Sequence, residues 1–77
     1  MQLDEDKIDE LTLALMYLVT HGDGYETRAW KSFAWDSLDR LYEKGYISNP
    51  KSKAKSVAVT EEGLVKMKQS AQKLLAV

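Results

Sequence analysis

Lys51, Lys53 and Lys55 stand at every second position of one short stretch, and no acid occurs from Lys44 to Thr60. Lysines at that density suit an anionic partner, above all the phosphates of nucleic acid, whose neutralisation dominates affinity. They equally suit a solvated loop kept soluble by its charge. A second grouping is aromatic: Trp30, Phe33 and Trp35 lie within six positions, with Arg28 and Lys31 close by. Tryptophan and arginine are enriched where proteins dock. Large rings are also what a small core needs inside. For a chain of 77 residues core cover is the first expectation, and a docking patch follows if an indole is exposed.

Other groupings point to little chemistry. His21, Asp23 and Glu26 form an H-x-D-x-x-E string, but it spans a glycine turn, and a cation ending a helix accounts for His21 better than a metal. Asp4, Asp6, Asp9 and Glu10 fall where a helix starts, which is not the loop calcium requires. There is no cysteine, the single histidine has no evident serine partner, and the glycines at 22, 24, 45 and 63 are scattered. A phosphate-cradling loop needs them together. The expectation is therefore a protein that is not an enzyme, with no catalytic residue, metal, cofactor or small-molecule substrate.

Charge is divided along the chain. Residues 1–43 hold four Lys/Arg against ten Asp/Glu, a balance of −6; residues 44–77 hold seven Lys against two Glu, a balance of +5. The halves either attract each other within one fold or offer the basic half to an anionic partner. The longest apolar run, Leu13 to Val19, has seven residues, against roughly 20 for a membrane span. The acidic start is unlike a secretory signal. A cytoplasmic protein with no membrane partner is expected, as one domain over residues 1–77.

The elements that must position these groups can be read from spacing. Asp4 can cap a helix running from about Asp4 to Thr20, with Ile8, Leu11, Leu15 and Leu18 on one face and His21-Gly22 as its stop. Leu13, Ala14, Met16, Tyr17 and Val19 make its second half apolar nearly all round. Either a C-terminal helix covers it, or Leu13, Met16 and Tyr17 form the seam of a homodimer. Asp23-Gly24 marks a turn. Residues 25–33 fit both a short helix and an alternating strand, and the short helix is expected. A helix over Ala34–Lys44 ends at Gly45; Tyr46–Ser48 is a short strand, broken by Asn49-Pro50. Ser56–Thr60 returns with Val57 and Val59 inward. Thr60 can cap a last helix, Glu61 to Leu75, with Leu64, Met67, Ala71 and Leu74 as its stripe and Gly63 marking a close backbone contact.

Leu38-x-x-Leu41-x-x-x-Gly45-x-Ile47, followed by Val57-x-Val59-Thr60-x-x-Gly63, resembles winged-helix transcription regulators. That resemblance implies an α+β, mainly helical fold: a winged helix-turn-helix with a two-stranded wing and a C-terminal helix. The longer runs from Arg28 to Gly45 (R-A-W-K-x-F-x-W-D-x-L-D-R-L-x-E-K-G) and from Lys53 to Gly63 resemble a family of small bacterial proteins with no established activity. In a winged helix the third helix enters the major groove. Here its expected exposed positions, Asp36, Ser37, Asp39, Arg40, Glu43 and Lys44, hold three acids against two bases, a poor match for phosphates. The functional expectation is a non-catalytic winged-helix-type module acting by protein contact or self-association. The alternative is a small DNA-binding regulator using Lys51, Lys53 and Lys55, assisted by Arg40, Lys44, Arg28 and Lys31.

Overall fold

The structure, a computed structural model, describes residues 1–22 and 26–77. Asp4 opens helix α1 (Glu5–Leu18): its Oδ1 accepts from the N–H of Asp6 at 2.9 Å and of Lys7 at 3.2 Å. Glu5 and Asp6 add negative charge at the positive end of the helix dipole. The helix stops at Val19, whose N–H donates to the Met16 carbonyl, so His21 and Gly22 lie beyond it.

The buried face of α1 carries Asp9, Thr12, Leu13, Ala14 and Met16. The neighbouring leucine row of the same helical period, Leu11, Leu15 and Leu18, faces solvent. The inner row is disguised by two polar residues that the fold satisfies. Thr12 donates its hydroxyl to the Ile8 carbonyl at 2.8 Å, and Asp9 is paired with Arg40. Leu13 and Met16 belong to the core and Tyr17 packs against it. The expected dimer seam of Leu13, Met16 and Tyr17 is thus corrected: those side chains hold the monomer together.

Strands β1 (Thr20–Gly22), β2 (Thr27–Trp30) and β3 (Ser56–Ala58) form an antiparallel sheet in that order. Thr20 pairs with Ala29 and His21 with Arg28 on one side; Ala29 pairs with Val57 and Trp30 with Ser56 on the other. The short helix expected before α2 is therefore a central strand. Alternation wins because β2 finds hydrogen-bond partners along both edges and turns Ala29 into the core. The helix-turn-helix reading loses its first helix by the same finding. Asp23-Gly24, Tyr25 and the Asp23 of the His21 string lie outside the described residues.

Helix α2 (Trp35–Glu43) buries Ser37, Leu38 and Leu41, so Ser37, expected outside, is inside. Gly45 follows at φ +81°. Its N–H donates to the Tyr42 carbonyl and the Tyr46 N–H to the Leu41 carbonyl, both at 3.0 Å, a paired closure that favours glycine. The chain then meets its return segment through one bridge, Ile47 with Val59, flanked by Ser48 N–H to Ala58 O at 2.9 Å and Thr60 N–H to Tyr46 O at 3.1 Å. The two-stranded hairpin expected here is reduced to that bridge, and β3 pairs as a strand with β2 instead.

Thr60 caps helix α3 (Glu61–Leu75): its Oγ1 accepts from Gly63 N–H at 2.9 Å and donates to Gly45 O at 2.7 Å. A Cβ on Gly63 would sit 2.0 Å from Tyr46 O, which explains glycine at this helical position. Met67 and Ala71 are buried as expected, whereas Leu74 is exposed. The result is a mixed α/β fold. Among the described residues it has three helices and one three-stranded antiparallel sheet, with the core between α1, α3 and the sheet. No helix among them is long and apolar enough to cross a membrane.

Candidate functional site

β2 and the start of α2 hold the aromatic grouping. Trp30 is 50% exposed and Trp35 57%, which overturns the expectation that both rings cover the core. Strand geometry explains Trp30: Ala29 points inward, so its neighbour stands on the outer face of the sheet. There the Trp30 ring meets His21, with centroids 4.6 Å apart and planes tilted by 30°. Trp35 is the first residue of α2, and the Lys31 ammonium lies 5.9 Å from its ring centroid, within range of a cation–π attraction. Phe33 is the exception in the cluster. It is half-buried and packs against the core.

The loop that would form the tip of a wing is fastened to this face. Lys31 Nζ donates to the carbonyls of Pro50 at 2.7 Å and Ser52 at 2.8 Å, and the Lys31 N–H donates to Lys55 O at 3.2 Å. Lys51, Lys53 and Lys55 stay exposed and enter no ion pair among the described residues.

The other four cations of the nucleic-acid set are engaged within the fold. Arg28 donates from Nε to Ser56 Oγ at 2.8 Å and from Nη2 to Ser56 O at 3.0 Å, and pairs with Glu26. Lys31 holds the loop carbonyls. Arg40 and Lys44 turn toward α1, where Arg40 pairs with Glu5 and Asp9, and Lys44 with Asp9 and Asp6. What α2 leaves outside is Trp35, Asp36, Tyr42 and Glu43, with Asp39 half-buried. Asp39, Tyr42 and Glu43 line a cleft with Asn49 and Lys51. That cleft holds two carboxylates against one lysine, and each carboxylate repels a phosphate.

The ionic centre between α1 and α2 escaped sequence reading. Asp9 is only 2% exposed, covered by the side chains of Arg40 and Lys44. Burial pushes its carboxyl up, but hydrogen bonds and charge from Arg40 and Lys44 outweigh that and hold it below the usual carboxylate range. The same hydrogen bond to Asp9 raises Arg40. The available signal was spacing: Asp9 stands with Leu13 and Met16 at helical period, and Arg40 and Lys44 are four apart on α2.

Over 64 residues the chain is 50% identical to a protein of Sinorhizobium fredii, "Uncharacterized protein y4hR", a match covering 83% of this chain and 82% of that one. No solved structure matches. The model of a domain of unknown function, DUF6429, matches residues 4–77, and the chain belongs to that family.

Proposed function

We propose that this domain is a non-catalytic binding module of winged-helix type that works by protein contact, with Trp30 and Trp35 as its anchors. The observation carrying the reading is the exposure of both indoles, 50% and 57%, on a strand and a helix start that the core holds fixed. Rigid aromatic side chains bury much area on docking and lose little entropy. Arg28 and Lys31 are held by the fold beside these rings, so the indoles themselves are what the face offers, suited to a partner with apolar and aromatic side chains. The winged-helix part draws support from the closure at Gly45, the Ile47–Val59 bridge and the Thr60 cap. The strand β2 departs from that architecture.

The test uses the full chain against a displayed library of random peptides, with selected peptides titrated while tryptophan emission is followed. Peptides carrying aromatic and other apolar residues should shift the emission, and Trp30→Ala with Trp35→Ala should abolish binding. Selected peptides that bind the double variant equally well would remove the proposal. A second reading, DNA contact through the loop, is favoured by one observation: Lys51, Lys53 and Lys55 are exposed and without ion pairs among the described residues. Fluorescent duplex DNA titrated at low salt decides it. Binding lost on neutralising the three lysines and unchanged in the tryptophan variants would put DNA first.

A further inference from the structure

The chain has a single histidine, and the fold sets it against an anchor of the docking face. His21 stands on β1 directly across from Arg28, and Trp30 follows two positions along β2. The three side chains therefore share the outer face of the sheet. The imidazole and indole centroids are 4.6 Å apart with planes tilted by 30°, within the range of an offset stack. His21 Nδ1 lies 3.3 Å from the Val19 carbonyl. A carbonyl only accepts, so the neutral ring carries its proton on Nδ1, and acid adds the second at Nε2. Val19 is the cap that ends α1, at the negative end of the helix dipole, which favours a cation.

Among the described residues, each neighbouring element presents His21 with little other charge. β2 presents Arg28, whose guanidinium is held by Glu26 and Ser56. β3 presents Ser56 and Ala58 on this face, opposite Trp30 and Arg28, and both are uncharged. α1 presents the Val19 carbonyl, while its Tyr17 packs against the core. Imidazole is the side chain whose ordinary charge change falls between pH 5 and 8. We propose that His21 is a positioning residue for Trp30 and makes docking at this face sensitive to acid. The proposal rests on the reading of Trp30 as a docking anchor. Neutral His21 leaves the exposed indole to an apolar partner. The imidazolium attracts the indole by a cation–π contact and holds the ring against the sheet. It also places a charge that an apolar partner must strip of water in order to dock. Acid therefore weakens docking.

The test uses the full chain with Trp35→Phe, which leaves Trp30 as the single indole. Its emission is followed from about pH 8 to pH 5, a range in which ordinary carboxylates stay ionised. Emission should fall along one titration curve, because a protonated imidazole in ring contact quenches an indole. His21→Gln and His21→Phe in the same background should flatten the curve. His21→Phe keeps a ring beside Trp30 and serves alone if His21→Gln disturbs folding. The second measurement titrates the parent chain with a histidine-free peptide from the displayed library at both ends of that range. Its dissociation constant should be about threefold higher in acid, the worth of an exposed cation–π contact, and equal at both ends in His21→Phe. Emission indifferent to pH, or falling equally in the histidine variants, overturns His21 as the proton sensor of Trp30. A peptide bound equally at both ends overturns the effect on docking. The emission measurement needs no partner, so failure of the docking reading itself appears in the double tryptophan variant and not here.

Discussion

Arg40 of α2 grips Asp9 of α1 with two parallel donors: Nε to Oδ2 and Nη2 to Oδ1, each at 2.8 Å. This fork ties the two helices together, and Lys44 Nζ adds a third donor to Oδ2 at 3.3 Å. A buried carboxylate satisfied by charged donors is costly to disturb, because losing them leaves a desolvated charge.

Asp9→Asn is therefore expected to lower stability by about 1.5–3 kcal/mol, the range for hydrogen bonds to charged groups. The melting temperature should fall about 4–8 °C per kcal/mol for a domain of this size. The pH dependence has a definite sign. Since the folded-state value lies below the unfolded value of about 3.9, the contribution is complete above that pH. It is lost as pH falls through the lower folded value. Melting curves of both proteins from neutral pH down to strong acid should converge at the acid end. A gap that stays constant would mean that ionised Asp9 contributes nothing.

Gly63→Ala should destabilise although alanine favours helix by about 1 kcal/mol. The added Cβ meets Tyr46 O at 2.0 Å, a backbone atom already accepting from Thr60 N–H. Overpacking of that kind costs about 1–3 kcal/mol, and relieving it must separate α3 from the Ile47–Val59 bridge. Urea unfolding provides the measurement; a variant as stable as its parent would show that α3 can shift without loss.

The Gly45 closure, the Thr60 cap and the Gly63 contact were legible because each depends on residue type at one position, with neighbours a few residues away. The strand at Thr27–Trp30 was not. Its sequence fits two periods, and the choice is made by β1 and β3, one of them nearly thirty residues downstream. The packing face of α1 is hard to read for a related reason. Hydropathy discounts Asp9 and Thr12, so the leucine row is the cleaner apolar stripe, although Arg40 makes Asp9 compatible with burial. Trp30 follows from the same strand: once Ala29 is inward, its neighbour must be outward.

Emission from the isolated domain should report exposed indoles. Both tryptophans should be quenched readily by iodide, with Trp30→Phe and Trp35→Phe each removing a quenchable fraction. Trp35→Ala should change stability by no more than about 0.5 kcal/mol, the usual range for surface sites. A drop of several kcal/mol would return that ring to a structural role and take one anchor from the proposed docking face.

Lys31→Met keeps the aliphatic stem and removes the ammonium that holds the loop carbonyls of Pro50 and Ser52. The loss should be about 1 kcal/mol in global stability. The larger effect should be local, because residues 51–55 are exposed and the ammonium is one of the few groups tying them down. Amide exchange in that segment should accelerate while protection in α1 and α3 stays close to that of the parent. The cation–π contact to Trp35 disappears with the same atom, so emission should change together with loop exchange. Loop protection unaltered by the substitution would mean that the Asn49 turn, where Oδ1 accepts from Lys51 N–H at 3.0 Å, and the Lys31 N–H bond to Lys55 O suffice to hold it.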